Sequence, residues 1–541
     1  MRVLKNYLIF FFVWGLIAAP LFGEVVKPTY ALVGCRIHPV NGTPIDKGTI
    51  IIRNGKIEAT GPAEKISIPE DAEVIDAKEL EAYPGLIDAY TQYFLESTSP
   101  STAQRQSRMM AASPPEERSW DKTGFLVVEN LKFKKTTLDS LHRAGITTIL
   151  VSPPQQIFAG LSALLNLNGE KLPAMVLQDK VALHLYFTTA RGSYPSSLMG
   201  TVALFRQSFY DAQHYDLQKK TFLRYPDKVS RPKYDAFLER LLPYVIEKKP
   251  VIFNCANLED IKRAIRLIEE FDLNGYIAGA NEAWRVIDWV KKARRPLLVS
   301  VDFKPPITSR YANMGEELKK EAEKEIYPHN PAELQKEKIS FALVSGKISK
   351  PGDFLKNVRL AVEAGLPAEE ALKALTIIPA RYFGVDSYLG SIEPGKIANL
   401  ILTKGELFTA DCQVRRVFVD GLSFEVKTAE AKSTGKAAAV NLSGNWKASL
   451  VSQMGTLEST WELTQEGNKV SGMIASEMGN WEISEGTLSG NKLTMVIMAN
   501  IMGQDMELTF EGEASKDKIR GTISFAGGSA EMTATRIPDA R

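Results

Sequence analysis

A chain of 541 residues exceeds any single small domain and has room for three or four modules of about 150 residues. Its 44% hydrophobic and 24% charged residues are those of a globular protein, which excludes disorder along the whole length. Sixty-six Lys and Arg against 64 Asp and Glu leave a net charge of +2; with no basic run interleaved with aromatics evident, neither nucleic acid nor an anionic membrane is an expected partner.

In chain order, Arg2 and Lys5 precede an apolar run from Tyr7 to Ala19, and Ala18, Ala19 and Gly23 lie just before Glu24. This is the order of a secretory signal, so residues 1–23 are expected to be removed on export, to the periplasm or outside the cell if the source is bacterial. The run falls short of the ~20 apolar residues of a membrane span, and no span is expected after cleavage. Leu32-Val33-Gly34-Cys35 has the look of a lipid-attachment box, but it lies within a strand pattern, so no lipid anchor is expected. From Tyr30 to Gly61 apolar residues alternate as in strands, with a hairpin turn at Asn54-Gly55.

From Tyr83 the period changes. Short apolar runs at Leu86–Ala89, Thr147–Ser152, Val181–Phe187, Pro250–Asn254, Asn274–Ala278, Pro296–Val301 and Ile339–Val344 alternate with helical stretches, among which Leu258–Phe271 repeats its apolar residues at helical spacing and carries charge on its other face. About eight parallel strands in roughly 300 residues suit a closed β/α (TIM-type) barrel over residues 83–385. Residues 96–120 are expected to be a polar loop and 307–337 a charged helical insertion. Strand signals return at Ala398–Leu402 and Val414–Val419, and residues 428–440 have the composition of a linker. Residues 441–541 carry about eight evenly spaced strand runs separated by Gly, Asn, Asp and Ser, the pattern of an all-β antiparallel barrel. The three cysteines, Cys35, Cys255 and Cys412, are too few for a disulfide framework or a thiolate cage.

Several segments together resemble the amidohydrolase superfamily, in particular its exported, imidazolonepropionase-like branch. They are Gly48–Ile57 (GTIIIRNGKI), Tyr83–Ala89 (YPGLIDA), Arg143–Thr148 (RAGITT), Tyr194–Gly200 (YPSSLMG), Ala371–Thr376 (ALKALT) and Leu389–Lys396 (LGSIEPGK). The resemblance implies a catalytic barrel beside a small β-sandwich built from both flanks, here residues 24–82 and 386–427. It also implies hydrolysis by a water activated on one or two divalent ions, with an aspartate moving protons.

This chain departs from the ligand pattern of that family. The His-x-His positions after the first strand are Tyr90 and Gln92. The fifth strand ends in Asn254, the sixth in Asn281, and the serine of the last strand is followed by Gly346 where the aspartate belongs. Neutral amides are poor zinc ligands and glycine offers no side chain. Of the five histidines only His184, aligned with the fourth-strand position, lies on an expected barrel strand; Asp88 and Asp302 are expected in hydrogen-bonding rather than catalytic roles. The C-terminal module resembles lipocalin-like barrels: Trp446 in Gly-x-Trp is expected to plug one end beneath Arg536.

The reading favoured by these departures is a metal-free pseudoenzyme without cofactor, acting as a binding or assembly partner of an active relative or of itself. A second is a hydrolase of non-peptide C–N bonds in cyclic amides or N-acyl compounds, which brings zinc or another divalent metal back into question. A third makes the C-terminal barrel a carrier of small apolar ligands, with Met495, Met498, Met502 and Met506 lining its pocket.

Overall fold

The computed structural model describes residues 27–95, 118–303, 327–426 and 440–537, apart from 170, 191–192, 453–454, 478, 502–503 and 526–527. The expected export signal, nearly all of the linker and most of the 96–120 loop lie outside the described residues. So does the 307–337 insertion up to residue 326; its described part includes the helix Asn330–Lys336. Residues 1–426 and 427–541 form two compact units.

In the first unit, strands from both flanks of the barrel meet in one sheet. β1 (Tyr30–Ile37), β2 (Ile45–Arg53), β3 (Lys56–Pro62), β4 (Glu73–Asp76) and β5 (Glu81–Pro84) come from the N-terminal side. The barrel strands follow: β6 (Leu86–Thr91), β7 (Ile146–Val151), β8 (Phe158–Leu161), β9 (Ala163–Asn166), the short β10 (Val176–Gln178), β11 (Leu183–Tyr186), β12 (Val251–Asn254), β13 (Gly275–Gly279), β14 (Leu297–Ser300) and β15 (Phe341–Val344). β16 (Leu400–Lys404), β17 (Gln413–Val419) and β18 (Leu422–Glu425) then return to the sheet, whose order is β18-β17-β16-β5-β1-β2-β3, with β4 beside β1. Its core sets Leu32, Ile37, Ile50 and Ile52 with Leu400 and Phe418. Cys35 is buried among them and its thiol is pushed up to about 12 by burial, so it serves as packing.

All seven expected barrel strands are present and parallel. The remaining position differs from the expectation of an all-parallel barrel: Phe158–Asn166, split into β8 and β9, pairs antiparallel with β11 on one side and β7 on the other. Only six residues separate β7 from β8, too few for the crossover that a parallel neighbour requires, so the chain doubles back. The seam between the first and last strands is closed by Gly346 N–H donating to Tyr90 O at 3.1 Å and Ser345 N–H donating to Asp88 Oδ1 at 3.0 Å. Branched and small side chains, including Ile87, Leu150, Ile252, Leu298 and Val344, fill the interior as a packed core. Outside, the helix Leu258–Glu270 buries Ile261, Ala264, Ile265 and Ile268 at helical spacing, and Asn257 caps it through Oδ1 accepting from Asp260 N–H at 3.0 Å.

The second unit is a closed antiparallel barrel of eight strands: β19 (Gly444–Ser452), β20 (Gly455–Glu466), β21 (Lys469–Ser476), β22 (Gly479–Ser489), β23 (Lys492–Ile501), β24 (Gln504–Ala514), β25 (Lys518–Phe525) and β26 (Gly528–Arg536). Each pairs with the next and β26 with β19, which leaves no open edge. Trp446, Trp461, Ile474 and Phe510 occupy its core.

Candidate functional site

Alternation along the barrel strands decides which side chains meet above the packed core. Tyr90, Gln92 and Gly346 line one cavity of about 660 Å³ at the C-terminal ends of the strands. Tyr186 joins them: its hydroxyl shares a hydrogen bond with that of Tyr90 at 2.9 Å and reaches Pro153 O at 3.1 Å. Gln92 Nε2 donates to the same carbonyl at 3.3 Å. Burial raises both phenols above their ordinary range, so they are neutral hydrogen-bonding groups. Tyr186 was missed from the sequence although it lies two residues after His184, on the same face of its strand. Tyr93 and the lysines Lys132, Lys134 and Lys347 also border the cavity, and among the described residues no carboxylate lines it.

The other candidate positions do not line this cavity. His184 is fully buried on β11, its ring centroid 5.9 Å from that of Tyr90, and neither ring nitrogen has a partner among the described residues. Desolvation pushes the imidazole down to about 3, so it is neutral. Asn254 Nδ2 donates to Leu185 O at 3.0 Å, and Asn281 Nδ2 to Asp302 O at 3.3 Å. Their Oδ1 atoms, Asp302 Oδ1 and Asp88 Oδ2 are buried without partners among the described residues. Asp88 clamps the barrel seam, accepting through Oδ1 from Tyr90 N–H and Ser345 N–H, while burial pushes its carboxyl up to about 6.

Residues 322–423, from just before the last barrel strand to the returning sheet strands, match the amidohydrolase family. The structure of an amidohydrolase from Thermotoga maritima MSB8 superposes with a TM-score of 0.60 at 23% identity, over 73% of this chain and 100% of that one. The fold is that of an amidohydrolase. Adenine deaminase 2 of Jannaschia sp. (strain CCS1) is 28% identical over 204 residues, which is 35% of this chain and 27% of that protein. N-acetylglucosamine-6-phosphate deacetylase of Haemophilus influenzae is 40% identical over 68 residues, 12% of this chain and 16% of that enzyme. The chain thus spans about a quarter or less of the length of these curated relatives.

A catalytic divalent ion in an amidohydrolase barrel needs imidazole and carboxylate donors converging at the strand ends. The described donors do not fit one. Tyr90 and Gln92 offer a neutral phenol and an amide; Asn254 and Asn281 offer amides turned to backbone carbonyls; His184 stands alone; Asp88 is engaged at the seam. No group of three or more His, Cys, Asp or Glu gathers as a metal-holding set among the described residues. At Gly346 the backbone itself suits glycine: φ is +62°, and a Cβ would lie 2.3 Å from Ser300 Oγ.

In the C-terminal barrel, Arg536 Cζ lies 4.4 Å from the centre of the Trp446 ring. The guanidinium donates to the carbonyls of Ser443 at 2.7 Å, Asn441 at 2.6 Å and Lys516 at 2.8 Å, and the indole Nε1 donates to Leu442 O at 2.9 Å. Met495 is buried in this core; the side chains of Met498, Met502 and Met506 lie outside the described residues.

Proposed function

We propose that this is an exported protein of amidohydrolase fold that binds rather than hydrolyses, its barrel serving as a binding or assembly partner without a catalytic metal. The observation carrying this reading is the donor set at the strand ends, where phenol, amide and glycine stand in place of imidazole and carboxylate. The aromatic walls of the mouth, with three lysines and no carboxylate among the described lining residues, suit a small organic anion. Purification from zinc-supplemented medium is expected to yield far less than one ion per chain, and zinc is expected not to raise the melting temperature. One tightly held ion per chain would end this reading.

A second reading, hydrolysis of non-peptide C–N bonds, is supported by the relatives named adenine deaminase and deacetylase. In it Tyr90, His184 and Asn254 are expected to line the mouth; Tyr90 does, while His184 and Asn254 lie outside the cavity lining. A screen of cyclic amides and N-acyl compounds tests it: turnover lost in His184→Ala supports it, and no turnover with any of them removes it.

A further inference from the structure

The helix Leu198–Arg224 packs its first part on the barrel through Leu204, Phe205, Phe209, Ala212 and Tyr215. Beyond Tyr215 its apolar residues turn to solvent. Leu217 is 60% exposed and Leu223 76%; Tyr225, Val229 and Tyr234, in the connection to the helix Ala236–Val245, are exposed as well. Single exposed apolar side chains are ordinary, but here five fall within eighteen residues, and Leu217, Val229 and Tyr234 border one open cavity.

Charge is interleaved with it. Residues 217–234 hold six Lys or Arg and one acid, Asp227, a local net charge of +5 in a chain whose total is +2. Lys219 is committed to Glu239 at 2.7 Å and Lys220 to Asp216 at 2.6 Å. Arg224 and Lys228 flank the Tyr225 ring at 5.5 and 5.8 Å, and with Arg231 and Lys233 they are exposed, without an acidic partner among the described residues. Nearby Asp235 is occupied by Arg118, and Asp121 by Arg240. Contrary to the expectation of no basic run interleaved with aromatics, residues 219–234 are one, with Phe222, Tyr225 and Tyr234 among six Lys and Arg.

We propose that this end of the helical hairpin docks on an anionic phospholipid bilayer. Leu217, Leu223 and Val229 supply the side chains that enter the acyl boundary, Tyr225 and Tyr234 sit at headgroup level, and the four cations pair with lipid phosphates. Aliphatic side chains this exposed, outnumbering the two exposed rings beside them, favour lipid over a single-stranded nucleic acid, which is held mainly by stacking on aromatics.

The test is flotation of the full chain with vesicles of phosphatidylglycerol and phosphatidylcholine, against phosphatidylcholine alone. Recovery is expected on the anionic vesicles only, weakening as salt rises. Replacing Arg224, Lys228, Arg231 and Lys233 by Gln is expected to lower partitioning by about 600-fold, at roughly fivefold per charge. Leu217→Ser with Leu223→Ser is expected to cut it about tenfold or more while leaving retention on heparin unchanged. Tyr234→Trp is expected to shift its emission to the blue with anionic vesicles and not with duplex DNA. Equal recovery on both vesicle types, leucine variants that bind like the parent, or stronger binding to DNA or to an acidic protein than to vesicles would overturn the proposal.

Discussion

Replacing His184 by Leu tests the barrel interior most directly. The imidazole is fully buried, both ring nitrogens lack partners among the described residues, and burial holds it down to about 3. In the unfolded chain the same ring titrates near 6.5, so below that pH the unfolded state takes up a proton the native state refuses, and stability is lost as pH falls from about 6.5 towards 3. Integrated over the whole window the loss is about 4–5 kcal/mol; by pH 5 it is about 2 kcal/mol, and at pH 7.5 close to zero. Leucine has a similar volume and no proton to bind. His184→Leu is therefore expected to be neutral or stabilising by about 1–3 kcal/mol at pH 7.5, from removal of unsatisfied polar atoms, and to gain about 2 kcal/mol more at pH 5. Urea unfolding followed by helical far-UV ellipticity reads this out in the first unit, since the described helices all lie there. The same difference between variant and parent at both pH values would refute the reasoning, because it would mean that the folded imidazole is protonated or holds a partner that keeps its ordinary affinity for protons.

Asp88 tests the opposite sign: its carboxyl is raised to about 6, so its contribution falls as pH rises from about 4 to 6, by about 3 kcal/mol. Asp88→Asn keeps an acceptor for Tyr90 and Ser345, and unfolding curves across that window are expected to lose this slope. In the C-terminal barrel, Arg536→Met removes a cation–π contact and three hydrogen bonds to carbonyls, and is expected to cost that unit about 2–3 kcal/mol, seen as an earlier transition in tryptophan fluorescence. Gly346→Asp is expected to destabilise by about 1–3 kcal/mol, because the added side chain needs a left-handed backbone beside Ser300, and to leave zinc content unchanged. A Gly346→Asp chain that retained a stoichiometric ion through dialysis would show that the missing carboxylate alone separates this barrel from a metal centre.

Much of the architecture is local and therefore legible in the chain. The seven parallel barrel strands follow from short apolar runs between helical stretches, the eight strands of the C-terminal barrel from strand runs separated by turn residues, and the β2–β3 hairpin from its Asn54-Gly55 turn. Trp446 and Arg536, at opposite ends of the C-terminal module, could be matched because the first and last strands of a closed barrel are neighbours. The chemical identities of Tyr90, Gln92, Asn254, Asn281 and Gly346 could be read directly from the chain, since a side chain's chemistry does not depend on the fold; which of them share a cavity could not.

Convergence was decided only in three dimensions. The six-residue link after β7 turns the third barrel position antiparallel, which no strand pattern reveals, because propensity carries no direction. Closure brings Asp88 to Ser345 across 257 residues and makes it a seam clamp. It also sets Tyr186 against Tyr90 while leaving His184, Asn254 and Asn281 out of the cavity lining. Likewise, only packing against the barrel shows that Leu204 and Phe205 are covered while Leu217 and Leu223 on the same helix face water. Strand patterns depend on neighbours a few residues apart, whereas burial and contact at these positions depend on how the chain closes on itself.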